Sequence, residues 1–370
     1  MQGLFGREPP TRVSSALAGG SRLNGSGAAS YNHLMKIFIA CPASAHSRKG
    51  NRVTAVRWAR ILKSLGHRLA IDQYYDGFDC DLMVALHAKR SHEAIRGYRR
   101  LHPDGPLIVA LTGTDLYRDI RTSKRAQRSL AMADRLIVLQ PRGLDELALP
   151  LRQKGRVIYQ SVEPRAIAPR RRRSRATFDI CVLGHLRHEK DPLRAALALR
   201  LLPADSRVRV THAGDALCPA LARLARKAMA RDQRYRWVGE VPRWQARRML
   251  AHSDALIHSS RLEGGANVIS EAIAEQVAVL ASDIPGNVGL LGRDYSGYYP
   301  VGDTRALSQL MHRAEADWRF REGLEVALIP LKQLVDPARE RAAWAELLNE
   351  LFGREPVGER AGGTPLPGSG

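Results

Sequence analysis

The sequence is short of the features that mark several protein classes. Its four cysteines, Cys41, Cys80, Cys181 and Cys218, form no Cys-x-x-Cys pair and are mostly set in apolar runs. That pattern argues against a zinc site or a disulfide framework and fits small apolar core residues. Aromatic residues are only 6% of the chain, which leaves few platforms for stacking nucleic-acid bases. No apolar run approaches the roughly 20 residues needed to cross a bilayer, and residues 1–34 lack the continuous apolar core of a signal peptide. A cytoplasmic protein without a membrane span is therefore expected. Acidic residues are the scarcer charge: 37 against 58 basic ones, a formal net charge of +21.

What is present points to a globular protein of two domains. A hydrophobic content of 44% excludes global disorder, and 370 residues are enough for two domains with their own cores. The basic surplus fits nucleic acid, anionic membrane or phosphorylated small molecules as partners. Much of it is arginine scattered through helices, which a GC-rich genome also produces. The dense run Arg170-Arg-Arg-Arg-Ser-Arg175 reads as a solvated linker. A nucleic-acid-binding protein on a Rossmann-like scaffold stays a rival, but the chain shows no recognised nucleic-acid module, so no nucleic-acid partner is expected.

Short apolar strands alternate with amphipathic helices from Met35 onward. Strands are expected at Ile37–Ala40, His67–Ile71, Leu82–Leu86, Leu107–Leu111, Arg135–Leu139 and Arg156–Ile158, with a helix at Thr54–Leu65. After the Arg-rich run the pattern restarts at Asp179–Leu183, Val208–His212, Tyr235–Val238, Ala255–His258 and Val279–Ala281. This predicts an α/β protein of two Rossmann-like, doubly wound domains facing across a cleft, with ligand groups at the carboxyl ends of the strands. The expected division is a disordered extension (1–34), a first domain (35–168), a linker (169–177), a second domain (178–335), a final helix (336–352) and a loose tail (353–370).

The most informative stretch is Arg261-Leu-Glu-Gly-Gly-Ala-Asn-Val-Ile-Ser-Glu-Ala-Ile-Ala274, a strand-to-helix turn carrying two carboxylates eight positions apart. Gly264 and Gly265 would let the backbone approach a ligand, the helix N-terminus favours an anion, and Glu271 could accept from sugar hydroxyls. An ordinary Gly-rich turn with two solvated glutamates has the same spacing. Three first-domain segments also follow strands: His46-Ser-Arg-Lys-Gly-Asn-Arg-Val-Thr54, His87-Ala-Lys-Arg-Ser91 and Thr112-Gly-Thr-Asp115. Their candidate ligand groups are His46, Arg48, Lys49, Gly50, Asn51, Thr54, His87, Lys89, Arg90, Thr112, Gly113, Thr114 and Asp115. In Gly184-His-Leu-Arg-His-Glu-Lys190, Arg187 could meet a diphosphate with its planar fork and Lys190 as a point charge. Surface pairing with Glu189 and Asp191 is the bland alternative. The pair Asp79-Cys-Asp81 precedes a strand and is a poor candidate for a metal site.

The order Gly184, Arg187, Lys190, then Val238-Gly239-Glu-Val-Pro242, then Glu263-Gly-Gly-Ala-Asn with Glu271, resembles the carboxyl-terminal domain of family 4 glycosyltransferases. The resemblance implies the GT-B architecture over about Met35 to Phe352. It implies donor-sugar contacts for Glu263, Gly264, Gly265, Ala266 and Asn267, and a ribose contact for Glu271. Gly184, His185 and Gly239 would join this UDP-sugar site, and Arg187 and Lys190 would act on the donor diphosphate. His185 stands where the family has arginine, and Thr112 where it commonly has histidine. Those changes, with Thr54-Ala-Val-Arg-Trp-Ala59 and Ala110-Leu-Thr-Gly-Thr-Asp-Leu-Tyr-Arg118, resemble one subgroup: the selenosugar synthases of selenoneine biosynthesis, the SenB group.

That resemblance implies transfer of a hexosyl group from UDP-N-acetylglucosamine or UDP-glucose to the selenium of selenophosphate, with no metal and no cofactor beyond the two substrates. It also implies functional links to a selenophosphate synthetase and a selenoneine synthase. A conventional family 4 transferase acting on a hydroxyl, thiol or lipid acceptor is the nearer alternative. The site reading predicts that Lys190→Ala abolishes turnover, whereas Lys49→Ala mainly weakens use of selenophosphate. Steady-state kinetics that are normal in both variants would overturn it.

Overall fold

The computed structural model describes residues 34–47, 50–164 and 176–353. The expected disordered extension, the cradle residues Arg48 and Lys49, the Arg-rich run and the tail beyond Gly353 lie outside the described residues.

The first sheet contains β1 (Lys36–Ala40), β2 (Arg68–Asp72), β3 (Leu82–Leu86), β4 (Leu107–Leu111), β5 (Arg135–Val138) and β6 (Gly155–Val157), in the order β2-β1-β3-β4-β5-β6. The second contains β7 (Phe178–Leu183), β8 (Val208–Ala213), β9 (Tyr235–Trp237), β10 (Ala255–His258), β11 (Ala278–Ser282) and β12 (Tyr298–Tyr299), in the order β12-β11-β10-β7-β8-β9. Every pairing in both sheets is parallel. Strands such as β3 and β4 are buried at every residue because helices cover both faces, and this is why they read as unbroken apolar runs. The two doubly wound sheets bear out the expected fold class.

Strand order reverses between β1 and β3 in the first sheet and between β7 and β10 in the second. At such reversals the loops at the carboxyl ends diverge and leave a crevice. Residues Cys41–Ser47 and His87–Ser91 flank one crevice; Gly184–Lys190 and Ser259–Ala266 flank the other.

The chain is closed by the helix Pro337–Phe352, which leaves the second domain and packs on the first-domain helix Gly50–Ser64. Asp336 caps it, accepting from the Ala338 N–H at 2.8 Å. The fully buried Trp58 and Trp344 meet edge to face at 5.0 Å. Beside them Glu340, 1% exposed, accepts from Trp58 Nε1 at 2.7 Å, Arg57 Nε at 3.2 Å, Ser161 N at 2.8 Å and Ser161 Oγ. Farther along, Glu350 accepts from Arg135 of β5 and Arg156 of the edge strand β6.

Two local expectations change. The first-domain helix begins at Gly50, not Thr54, because its polar first turn lies at the surface and carries no apolar period. The two-residue β12 has too few residues to show a strand pattern. Among the described residues no helix is long and apolar enough to cross a membrane.

Removing Glu340 would strand a buried guanidinium with the Trp58 and Ser161 donors. Glu340→Ala is expected to lower unfolding free energy by about 3–5 kcal/mol in urea titrations. A loss below about 1 kcal/mol would contradict this account of the helix return.

Candidate functional site

The two crevices merge into one cleft of about 1020 Å³ between the domains. Its second-domain wall is built on β7 and β10. Beyond β7 the chain turns through His188–Lys190, and Asp191 adopts a left-handed conformation with φ 44°. Ser259 Oγ, just after β10, donates to the carbonyls of Lys190 at 3.0 Å and Asp191 at 2.9 Å. The Arg261 N–H donates to Glu189 C=O at 2.8 Å. These bonds hold the two loops together and fix Lys190 opposite Glu263.

Glu263 is buried, and its Oε1 accepts from Lys190 Nζ and from Ser260 Oγ at 2.8 Å. His258 Nε2 lies 3.7 Å from the same oxygen and makes no hydrogen bond. Burial alone would raise the Glu263 pKa. The Lys190 ammonium, the His258 ring and the two hydrogen bonds reverse this and hold it at about 2. Burial pushes His258 down to about 4, so its ring is neutral near pH 7.

Arg187 faces the cleft, and its buried Nε has no partner. It thus offers donor capacity to an incoming anion. His185 also lines the cleft: its Nδ1 accepts the Asp215 N–H at 3.0 Å and burial lowers its pKa, so the neutral ring braces the loop through Nδ1 and carries its proton on Nε2. Gly184 lines the cleft, while Gly239, with φ 73°, turns the chain so that Glu240, Val241 and Pro242 reach it.

The Gly-Gly turn, whose Gly265 lines the cleft, meets a second requirement as well. A Cβ at Gly264 would stand 2.7 Å from the Thr112 carbonyl carbon and 2.8 Å from Gly113 N, and one at Gly265 would stand 2.6 Å from Leu139 Cβ. The missing side chains therefore admit the loops of the first domain. Ala266 precedes the helix Asn267–Glu275, whose N-terminus opens into the cleft. Glu271 is also less free than expected, because its Oε1 accepts from Arg243 at 2.9 and 3.2 Å.

On the first-domain wall, Gly50, Asn51, Thr54, His87, Arg90, Thr112, Gly113 and Thr114 line the cleft. Thr54 spends its hydroxyl proton on Gln160 Oε1 at 3.0 Å. His87, held at φ 72°, has Nε2 3.3 Å from Thr114 Oγ1, and burial lowers its pKa despite Asp115 and Asp119 nearby.

Three residues expected here serve otherwise. Asp115 is fully buried and accepts from the N–H groups of Ala88 at 3.1 Å, Gly113 at 2.8 Å and Thr112 at 3.4 Å; it ties two loops together, because that many amides compete for its oxygens. Lys89 pairs with Asp119 at 3.4 Å and borders a depression of about 380 Å³ that shares Pro42, Gln73 and Arg90 with the cleft. His46 is exposed on its loop, where Ser44, Ala45 and Ser47 are the cleft-lining residues.

The cleft also holds arginines that sequence reasoning missed: Arg52, Arg57 and Arg60 from the helix Gly50–Ser64, and Arg243 and Arg247 from the helix Arg243–Ala251. Arg243 bonds Glu271 and Arg247 bonds Glu275, so one i,i+4 pair of arginines faces one i,i+4 pair of glutamates. That matched spacing was the available signal. Asp79 and Asp81 both bind Lys36 at the amino edge of the first sheet, remote from the cleft.

Residues 168–326 match the family model of glycosyl transferases group 1. The chain is 24% identical over 299 residues to glycosyltransferase 1 domain-containing protein 1 of Xenopus tropicalis, covering 71% of this chain and 83% of that protein. Among solved structures it is similar to HepE of Anabaena in complex with UDP and glucose, with a TM-score of 0.68 and 16% identity over 85% of this chain and 100% of that one. It is also similar to sucrose-phosphate synthase of Thermosynechococcus elongatus, with a TM-score of 0.69 and 16% identity over 86% and 99% of the two chains. These likenesses identify the fold as GT-B.

The depressed Glu263 pKa gives a stability term that is full above the unfolded value near 4.3 and lost as pH falls toward about 2. Wild-type protein is thus expected to lose more unfolding free energy than Glu263→Gln between about pH 5 and about pH 3 in urea titrations. Equal losses would contradict the charged pair.

Proposed function

From a GT-B chain whose second domain is of the group 1 glycosyltransferase type, we propose that this protein is a selenosugar synthase. It transfers a hexosyl group from a UDP-sugar, UDP-N-acetylglucosamine or UDP-glucose, to the selenium of selenophosphate in selenoneine biosynthesis. The C1–O bond to the diphosphate breaks and a C1–Se bond forms. Water then cleaves the Se–P bond, giving the 1-selenosugar and phosphate beside UDP. A selenophosphate synthetase would supply the acceptor, and a selenoneine synthase would use the product.

The donor half is supported by the second-domain wall. Arg187, with an unused buried donor, and Lys190 suit a diphosphate; Glu271 suits a ribose; Glu263 and the turn to Asn267 suit the sugar. In this reading Arg187 and Lys190, without a metal, neutralise the leaving UDP, each worth roughly 3–4 kcal/mol when well placed. Closure of the domains keeps water from the activated sugar.

The acceptor half rests on one observation. From Pro42 to Thr114 the cleft wall presents Arg52, Arg60 and Arg90 with serine and threonine hydroxyls, and among the described residues of that stretch it presents no carboxylate; Glu163 lines the cleft farther along the chain. Asp115 and Asp119 lie behind it, bound to the loops and to Lys89. A hydroxyl acceptor must give up a proton, and between Pro42 and Thr114 only the His87 ring could take it, held 3.3 Å from Thr114 Oγ1. Selenophosphate is an anion whose selenium is already nucleophilic, so it needs cations and hydrogen-bond donors instead of a base.

The test is anaerobic incubation with each UDP-sugar and fresh selenophosphate, followed by mass spectrometry. A selenium isotope pattern on a hexose or hexosamine mass, with UDP released in step, is expected. Transfer of the sugar to a hydroxyl, thiol or lipid acceptor, with UDP released and no selenium product, would contradict the proposal. Arg187→Gln is expected to lower kcat on the order of 10²- to 10³-fold, measured as UDP release.

A further inference from the structure

Arg57 belongs to the first domain, yet its guanidinium touches three separate parts of the molecule. Nε donates to Glu340 of the returning helix at 3.2 Å, Nη2 to Gln160 Oε1 at 2.6 Å, and Nη1 to Asn267 Oδ1 at 2.9 Å. Arg57 is 6% exposed, so these bonds form in a largely dry setting where geometry matters most. Gln160 makes a parallel link: it accepts from Thr54 and Arg57 of the first-domain helix and donates through Nε2 to Gly265 C=O at 2.8 Å.

Asn267 is the first residue of the helix Asn267–Glu275, and Gly265 is half of the turn that leads into it. The same turn has no room for side chains against Thr112, Gly113 and Leu139. Glu340 takes only Nε, and the two Nη groups of this buried guanidinium find their partners across the seam and on Gln160. The bond to Asn267 reaches the helix start that would receive the anionic donor.

We propose that Arg57 is a positioning residue: through Asn267, and with Gln160 on Gly265, it sets the Gly264–Asn267 turn and so makes the donor site dependent on contact with the first domain. This rests on the reading that a UDP-sugar binds at that turn. Lysine at position 57 keeps the charge and one contact, but it lacks the planar fork that reaches all three partners.

The test is a double-mutant cycle with Arg57→Lys and Asn267→Ala, read by local hydrogen exchange and by calorimetric UDP affinity. Each single variant is expected to speed exchange in residues 262–270 and weaken UDP binding, both about tenfold, and the double variant to be no worse than either. Glu340→Gln, which leaves the Asn267 bond in place, is expected to lower global stability without the tenfold loss of UDP affinity. Additive effects in the cycle, or an exchange increase spread evenly over both domains, would overturn the proposal. If wild-type protein failed to bind UDP, the donor reading would fall while the exchange cycle still decided the role of Arg57.

Discussion

The cleft depends on how closely two backbones approach one another. Gly264 lies against Thr112 and Gly113, and Gly265 lies against Leu139, at distances that exclude a Cβ. That contact joins the turn after β10 to the loops after β4 and β5, and so joins the donor wall to the acceptor wall. Gln160 and Arg57 bridge the same seam with hydrogen bonds. The returning helix Pro337–Phe352 then fastens the arrangement from outside through Trp344 on Trp58 and Glu340 on Arg57. A site made this way exists only where the two domains meet, which suits a reaction that must bring two reactants together and keep water out.

Charge within this frame is organised despite the surplus of arginine. Glu263 and Glu271 of the second-domain wall are answered by Lys190 and Arg243, and Glu275, one turn farther along the helix, by Arg247. Arg187 keeps a buried donor unanswered. Between Pro42 and Thr114 the first-domain wall has arginines and hydroxyls without acid residues among those described. In the proposed function the second-domain wall takes the diphosphate and the sugar hydroxyls, and the first-domain wall takes a second anion.

Much of this architecture was legible in the sequence because parallel strands covered on both faces are apolar at every position. Leu82–Leu86 and Leu107–Leu111 were read to the residue for that reason. Loops that follow such strands must lie near the strand-order reversals, which is why Gly184–Lys190 and Glu263–Glu271 fell on one wall. Spacing did not disclose where side chains point within a loop. Asp115 turned inward to the amides, Lys89 turned to Asp119, and His46 turned to solvent. Nor could it tell a glycine that admits a ligand from one that admits another backbone, as at Gly264. Arg57 was hidden in an amphipathic helix, where its partners are 103, 210 and 283 residues away.

The central claim is that the crevice at the β7–β10 reversal is a nucleotide-sugar site completed by the first domain. A crystal structure of the complex with UDP tests it most directly. The account predicts the diphosphate within hydrogen-bonding distance of Arg187 and Lys190, at the N-terminus of the helix Asn267–Glu275, with the ribose on Glu271. A diphosphate bound instead at Arg90, or outside the cleft, would contradict it.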